Sequence, residues 1–247
     1  MDAWFVSDIH LKDVNERNSL KLLRFLSLLE TGKLKCTHLV LLGDIFDLWI
    51  GGGDFFQIKF QSLIDSLVRL KKIGIEIVYF EGNHDVHIKE FWQKRLKIPV
   101  FTEEKYLELG PWIVRMEHGD FINPDDKAYL KMREFIRTPA LEKLADLVPA
   151  RVWDQVGNFA SQLSRQRSSV RRLQNEDAFR SMIRKYAETS YDKGIFDYII
   201  TGHMHIRDEY AFERSGKRII SVNLGSWFED AKALHLNEKG HEWLDLD

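Results

Sequence analysis

Short apolar runs alternate with helical periodicity through the amino-terminal part of the chain. Three buried strands are predicted by apolar runs at residues 3–6, 39–42 and 75–80. Residues 16–30 and 54–72 lie between these runs and place apolar side chains at helical spacing. Gly32 and Gly74 are stop signals for the two helices, and Asp54 is expected to cap the second. The alternation of strand and helix predicts α/β layers.

The pattern changes after residue 91. Strands of a second sheet are predicted at residues 99–101, 106–109 and 112–117. Residues 124–193 then show helical periodicity, and we expect them to form an inserted helical lid. Strands return at residues 197–201, 209–213, 218–222, 233–236 and 242–244. The expected fold is α/β with α+β layering, in which residues 1–247 form one domain of two mixed β-sheets flanked by helices.

Composition and net charge limit the classes of protein to which the chain can belong. A net charge of -2 over 247 residues argues against general nucleic-acid binding. The single Cys36 cannot form an internal disulfide, which suits a reducing compartment. The chain has no apolar run long enough to span a bilayer, and its start leaves no room for a signal peptide. We therefore expect a cytoplasmic protein.

Polar motifs follow five of the predicted strands at the point where each ends. They read Asp8-Ile9-His10, Gly43-Asp44, Gly82-Asn83-His84-Asp85, His118-Gly119-Asp120 and Gly202-His203-Met204-His205. Open α/β sheets bind ligands at the carboxyl ends of their strands, so these motifs are expected to meet. The candidate metal ligands are Asp8, His10, Asp44, Asn83, His118, His203 and His205. All are nitrogen or oxygen donors and none is a thiolate, which favours Mn²⁺, Fe²⁺, Co²⁺ or Zn²⁺ over copper(I) or an iron–sulfur cluster.

Seven ligands suit two divalent ions if Asp44 bridges them. Two such ions can clamp the oxygens of an in-line displacement at phosphorus and make the water that they share a nucleophile near neutral pH. Asp85 and Asp120 are expected to orient imidazoles that carry the metals. Any one of these motifs alone would more simply be structural, and four further histidines lie outside the motifs. The case depends on all five motifs occurring together.

This constellation resembles the calcineurin-like metallophosphoesterase superfamily, whose five motif blocks all occur between Asp8 and His205. The resemblance implies a two-sheet sandwich flanked by helices. It also implies one ion held by Asp8, His10, Asp44 and His205. The other ion would be held by Asp44, Asn83, His118 and His203. His84 would contact the phosphate or the leaving oxygen, so the implied catalytic residues are His84 and Asp44.

A closer resemblance covers nearly the whole chain. Residues 42–51, residues 117–129 and the helical insertion are similar to the UDP-2,3-diacylglucosamine pyrophosphohydrolases of lipid A synthesis. Those enzymes use manganese to release UMP and a diacylglucosamine phosphate. By the same resemblance, Asp126 and Tyr129 would contact substrate, and the insertion would hold acyl chains. This chain departs from the best-known members in having His84 where they have Arg.

The insertion also carries a basic cluster next to apolar residues. Four arginines occur without an acid at Arg165, Arg167, Arg171 and Arg172. Arginine can grip phosphate oxygens in a bidentate fork, although a solvated helix end would look the same. Beside the apolar residues, the cluster suits a nucleotide-linked glycolipid and peripheral contact with the inner membrane face. Two alternatives stay open: a phosphodiesterase or nucleotide pyrophosphatase for soluble nucleotides, and a non-catalytic scaffold of the same fold.

Overall fold

The computed structural model describes residues 1–148 and 175–247. In chain order its strands are β1 (Asp2–Val6), β2 (His38–Leu41), β3 (Trp49–Ile50), β4 (Glu76–Phe80), β5 (Asp85–Val86), β6 (Val100–Phe101), β7 (Lys105–Leu109), β8 (Trp112–Met116), β9 (Tyr198–Thr201), β10 (Arg207–Arg214), β11 (Lys217–Leu224), β12 (Lys232–Asn237) and β13 (Gly240–Asp245). Its helices are α1 (Arg17–Glu30), α2 (Asp54–Lys59), α3 (Gln61–Lys72), α4 (Lys127–Ile136), α5 (Pro139–Leu147) and α6 (Glu176–Tyr191), with a π-helical turn at Glu90–Arg95.

Eleven of the strands form two mixed sheets, and β3 pairs with β5 in a separate two-stranded sheet. The first has the order β13-β12-β1-β2-β4-β6, and the second has the order β10-β11-β9-β8-β7. In the first sheet β1, β2, β4 and β6 run parallel, whereas β12 and β13 are antiparallel additions. In the second sheet the parallel strands are β11, β9 and β8. The predicted α/β sandwich of two mixed sheets flanked by helices is confirmed.

Side chains alternate along β2 between two hydrophobic layers. Leu39 and Leu41 belong to the cluster that contains Phe25 of α1 and Leu67 of α3. Val40 instead belongs to the cluster that also contains side chains of the second sheet. Successive residues of a strand point to opposite faces, so a continuous apolar run predicts burial on both sides. The second sheet is covered on its other face by α6, whose Ala187 packs in a third cluster.

The division between the two sheets does not follow chain order as expected. The strand predicted at residues 99–101 was assigned to the second sheet, but β6 pairs in parallel with β4 at the edge of the first. The carboxyl-terminal strands β12 and β13 also join the first sheet, where β12 pairs with β1. Strand pairing depends on contacts between distant parts of the chain, and apolar periodicity carries no information about it.

The single helix predicted over residues 54–72 is in fact two. The chain breaks at Phe60, which has φ -112° and ψ 25° and whose ring lies against Phe46 and Trp49 in the core. Gly53 occupies the N-cap position of α2 without a side-chain cap and Asp54 is the first helical residue, so the expected capping role of Asp54 is wrong. Burial of the Phe60 ring accounts for the break, since apolar packing outweighs the small cost of ending a helix turn early.

The insertion predicted at residues 124–193 is helical in the part that the structure describes, as α4, α5 and α6. Arg165, Arg167, Arg171 and Arg172 lie outside the described residues. Among the helices of residues 1–148 and 175–247, none has the length and apolar character needed to cross a membrane.

Candidate metal centre

The five polar motifs meet at one edge of the sandwich. In the first sheet, Asp8, Asp44 and Asn83 follow the ends of the parallel strands β1, β2 and β4 by two or three residues. In the second sheet, His118 and His203 follow the ends of β8 and β9 by two residues. Parallel strands have their carboxyl ends at the same edge, and the two sheets face each other with these edges together. The loops therefore converge as the sequence predicted.

One group of donors surrounds a single point. Asp8, His10, Asp44 and His205 each offer a ligand atom within 4.8 Å of the others. The Nε2 atoms of His10 and His205 are 3.1 Å apart, and His205 Nε2 is 3.1 Å from Asp8 Oδ1. These are the four residues that the resemblance assigned to the first ion. Their role as ligands stays a prediction, but the structure brings all four together.

A second group lies on the other side of Asp44. His118, Asp120 and His203 likewise offer ligand atoms that lie within 4.8 Å of one another. Asp44 Oδ2 is 3.5 Å from His118 Nε2 and 3.8 Å from His10 Nε2, so one carboxylate oxygen faces both groups. Asn83 reaches this side as well, where its Oδ1 lies 3.4 Å from the Tyr129 hydroxyl. The arrangement suits an Asp44 carboxylate shared between two ions.

The surroundings of His118 indicate that these residues suit a cation. Its Nδ1 donates to the Leu42 carbonyl at 2.9 Å, while its buried Nε2 has no hydrogen-bond partner among the described residues. Burial opposes a charge on His118, yet the Asp44 carboxylate raises the pKa of its imidazole well above the usual value. The Nε2 position thus attracts a positive charge, which a divalent ion between His118 and Asp44 would supply. The residues fit the metal.

The carboxylate at the centre carries its charge readily. Burial disfavours the ionised form of Asp44, but the neighbouring His118, His84 and His10 hold the pKa of that carboxyl well below its usual value. An ionised Asp44 is the form that binds cations, so the protein keeps the bridging position anionic.

The backbone at the centre is held in a conformation that non-glycine residues rarely adopt. Positive φ angles occur at Asp8 (51°), His10 (55°), Asp44 (52°), His203 (67°) and His205 (55°). Each such residue costs about 1–3 kcal/mol, although Asp and His tolerate this region better than most. These five residues include all four members of the first donor group, and we infer that the positive φ turns their side chains toward a common point after each strand.

Glycines let the loops approach each other closely. A Cβ on Gly82 would lie 2.1 Å from Asp44 Oδ1, and one on Gly202 would lie 2.4 Å from Asp8 Oδ2. No side chain fits at either position without moving a carboxylate of the centre. Gly82 and Gly202 are therefore required for the close packing of these loops.

Asp85 differs from the role expected for it. Its Oδ1 accepts from the amides of Gly82 and Asp44, and its Oδ2 accepts from the Ile45 amide and the Tyr79 hydroxyl. The sequence predicted that it would orient an imidazole, but these bonds show that it holds two backbone loops. Burial and the negative charge of Asp44 raise the pKa of Asp85 to about 7. A cation at Asp44 would offset part of that repulsion.

Asp120 lies beside an imidazole, as expected. Its Oδ1 is 3.9 Å from His203 Nδ1, and Arg133 Nε donates to its Oδ2 at 2.6 Å. Burial acts against ionisation, but His118, His203 and Arg133 together lower the pKa of Asp120 to about 2. The Tyr129 hydroxyl donates to Asp120 Oδ1, and the Tyr129 ring lies 4.8 Å from that of His203. Tyr129 thus contacts the centre itself.

Asp126 has a structural role in α4. Its side chain accepts from the Tyr129 amide at 3.0 Å and caps the helix. That bond fixes the start of the helix that places Tyr129. Contact of Asp126 and Tyr129 with substrate stays a prediction from the resemblance.

Two residues near His10 escaped the sequence analysis. Asp47 is buried, its Oδ1 lies 3.9 Å from His10 Nδ1, and its backbone carbonyl lies 2.8 Å from His84 Nδ1. Its position three residues after Asp44, in the same strand exit, could have pointed to it. Phe228 stacks on His10 with ring centroids 5.0 Å apart, and no sequence motif marks it.

The chain is similar to several known proteins. The family model for calcineurin-like phosphoesterases matches residues 1–207. The UDP-2,3-diacylglucosamine hydrolase of Photorhabdus laumondii is 25% identical over 246 residues, covering 100% of this chain and 99% of that protein. The enzyme of the same name from Neisseria meningitidis serogroup C is 25% identical over 248 residues, covering 99% and 98%. A solved archaeal phosphodiesterase covers 99% of each chain with 12% identity and a TM-score of 0.48.

The family model spans all five motifs, from the β1 exit at Asp8 to the β9 exit at His205. Its match extends over far more than half of the chain. The chain therefore belongs to the calcineurin-like phosphoesterase family.

Proposed function

We propose that the chain is a manganese-dependent hydrolase that cleaves the pyrophosphate of UDP-2,3-diacylglucosamine to UMP and 2,3-diacylglucosamine 1-phosphate. The observation that carries the proposal is the pair of Asp and His groups that share Asp44. Relatives named for this substrate match the chain from end to end, which supports the choice among phosphoesterase substrates.

The centre supports hydrolysis at phosphorus. Two divalent ions held by the two groups would act as Lewis acids on phosphoryl oxygens and lower the pKa of water. Asp44 supplies the negative charge between the groups, and Asp85 fixes the amide of Asp44. The β4 loop then presents His84 next to His10, with ring centroids 4.7 Å apart.

His84 is oriented for proton transfer. Its Nδ1 lies 2.8 Å from the Asp47 carbonyl, and because a carbonyl only accepts, that nitrogen carries the proton. In the proposed mechanism, Nε2 exchanges a proton with the phosphoryl group or the leaving oxygen. The backbone amide of His84 also donates to Asp44 Oδ1 at 2.9 Å, which ties the imidazole to the centre.

Apolar side chains on and near α4 support a lipid substrate. Phe121, Met132 and Phe135 are 42%, 44% and 63% exposed, so their apolar surface is available to acyl chains, although exposed large apolar side chains also occur elsewhere. A diacylated substrate would bury them at about 0.8 kcal/mol per buried methylene. The phosphate-binding role of Arg165, Arg167, Arg171 and Arg172 belongs to the same proposal. The same proposal includes peripheral action of the enzyme at the cytoplasmic face of the membrane.

A substrate panel tests the proposal. The purified protein with Mn²⁺ should release UMP from UDP-2,3-diacylglucosamine much faster than from deacylated UDP-glucosamine, as measured by chromatography of the products. Equal rates on the two substrates would reject the lipid assignment. They would favour the second candidate, a phosphodiesterase for soluble nucleotides, which is suggested by His84 in place of the usual arginine.

The insertion can be tested separately with bis-p-nitrophenyl phosphate as the matched control substrate. Neutral substitutions at Arg165, Arg167, Arg171 and Arg172, or Trp153→Asp, should leave hydrolysis of this small ester nearly unchanged. Turnover of the diacylated substrate should fall at least about tenfold, equivalent to about 1.4 kcal/mol of lost transition-state binding. A parallel fall in both activities would mean that the insertion is only structural.

A further inference from the structure

Three residues of α4 form a line that faces the metal centre. Tyr129, Arg133 and Arg137 are spaced four apart, which places them on one side of the helix and at its carboxyl-terminal cap. We call these three residues the α4 stripe. Each of them bonds to a loop that carries predicted metal ligands.

The first two members of the stripe hold Asp120. Tyr129 donates to its Oδ1 and Arg133 donates to its Oδ2, so both oxygens of this buried carboxylate are bound by α4. Arg133 also donates to the Thr102 carbonyl at 3.2 Å. Asp120 follows His118 by two residues, and the stripe therefore supports the loop of the second donor group.

The third member, Arg137, holds the loop that carries Asn83 and His84. Its Nη1 pairs with Glu81 Oε2 at 2.9 Å, and its Nη2 donates to the Gly82 carbonyl at 2.9 Å and to the Glu81 carbonyl at 3.3 Å. The other oxygen of Glu81 accepts from the Ile88 amide at 3.0 Å. One guanidinium thus fixes the start of the loop directly and reaches its far end through a single carboxylate.

The ion pair between Arg137 and Glu81 is largely buried. The side chains of Arg137 and Glu81 are only 13% and 3% exposed, so water cannot replace either partner. A guanidinium is the side chain that can bind a carboxylate and two carbonyls together, because its donors are fixed in one plane.

We propose that Arg137 is a positioning residue that sets the affinity of the centre for its second ion. It does so by holding Gly82 so that Asn83 faces His118 and His203. The inference rests on the two-ion site of the proposed function but not on the identity of the substrate. It also means that the first helix of the insertion is mechanically part of the metal centre.

Calorimetric titration of the full chain with Mn²⁺ tests the proposal. Wild type should bind two ions, and Arg137→Met should weaken one of the two binding events by about 10–100-fold, the usual effect of losing a group that orients a ligand. Asn83→Ala should weaken the same event, and Arg137→Lys should recover part of the affinity. Excess Mn²⁺ should restore hydrolysis of bis-p-nitrophenyl phosphate to Arg137→Met.

Arg180 supplies a matched control from the other end of the insertion. It also pairs with a buried carboxylate, Asp208, and also donates to a backbone carbonyl, that of Arg207. Arg180→Met should leave both Mn²⁺ affinities unchanged. Hydrogen exchange of the amides of residues 81–88 should increase in Arg137→Met and not in Arg180→Met.

The outcomes separate the inference from the proposed function. Two binding events of wild-type affinity in Arg137→Met would overturn the positioning role alone, and so would an equal loss in Arg180→Met. Failure of the wild type to bind two ions would instead reject the two-ion site. If Arg137→Met does not fold, the double variant Glu81→Gln/Arg137→Met is used in its place. It removes both charges of the ion pair and so leaves no buried unpaired charge. That double variant should show the same weakened event, and normal binding by it would also refute the role.

Discussion

Asp85 is the residue through which the β2 and β4 loops are joined, and its removal gives a quantitative test of that role. Its oxygens accept four hydrogen bonds, with distances of 2.7 Å from Gly82 N, 3.1 Å from Asp44 N, 2.9 Å from Ile45 N and 2.7 Å from the Tyr79 hydroxyl. The side chain is fully buried, so water cannot replace these bonds.

Asp85→Asn keeps the shape of the side chain and replaces one acceptor with a donor. The least costly orientation puts the amide nitrogen at the Oδ2 position, because the Tyr79 hydroxyl can turn to accept from it. The Ile45 amide then faces another donor and loses its partner. An unsatisfied buried amide costs about 1–3 kcal/mol, and we expect a loss of unfolding free energy in that range.

Asp85→Ala should cost more, since it leaves the amides of Gly82, Asp44 and Ile45 all without an acceptor. At about 1–3 kcal/mol each, the expected loss is about 3 kcal/mol or more, less what relief of repulsion with Asp44 returns. Tyr79→Phe is the control, because it removes one donor and leaves the carboxylate bound to three amides. Its cost should stay near 1 kcal/mol.

Urea denaturation measures the unfolding free energy of the three variants against wild type. The assay is run at pH 8, above the pKa of about 7 for Asp85, so that this carboxyl is ionised in the folded wild type. Turnover should fall in parallel with stability across the Asp85 variants, because the bonds that are lost also position Asp44. The role of Asp85 in joining the two loops is refuted if the unfolding free energy of Asp85→Asn is within about 0.5 kcal/mol of the wild-type value and the variant binds Mn²⁺ normally.

Three further outcomes are expected. His84→Ala should lower turnover by about 10²–10⁴ with metal content unchanged, and loss of metal would move His84 into the coordination sphere. Asp44→Asn should bind fewer than two ions by elemental analysis, because removing that charge weakens both donor groups; two retained ions with near-normal turnover would reject the bridge. Asp120, with its pKa lowered to about 2, stabilises the fold above pH 4 and loses that contribution as the pH falls toward 2. The stability gap between metal-free wild type and Asp120→Asn should therefore shrink by about 2 kcal/mol over that range, and a constant gap would contradict the assignment.

The insertion is tied to the body at both of its ends, and in different ways. At the amino-terminal end, Arg133 and Arg137 bond to Asp120 and Glu81 beside the metal centre. At the carboxyl-terminal end, Arg180 and Arg184 of α6 pair with the buried Asp208 of β10. The first attachment is to the ligand-bearing loops themselves, whereas the second is to the start of β10, two residues after His205, where pairing with β11 already holds the strand. Substrate contacts made by the insertion would therefore reach the centre most directly through α4.

The sequence by itself determined most of the strands and helices and the residue types of the candidate ligands. Apolar runs predict strands because a strand buried on both faces needs apolar side chains at every position, as β2 shows with Leu39, Val40 and Leu41. The motifs after these runs predicted where the polar groups would meet, because strand direction alone places parallel carboxyl ends together.

Only the tertiary structure decided which sheet each strand joins and how the ligands are held. The pairing of β6 with β4 and of β12 with β1 brings together residues far apart in the chain, which local periodicity cannot reveal. The positive φ of Asp44, the grip of Asp85 on three amides and the reach of Arg137 to Gly82 each depend on a neighbour that the sequence does not place beside them. Residue types and spacing are local properties of the chain, whereas the distance between two loops exists only after the sheets have packed.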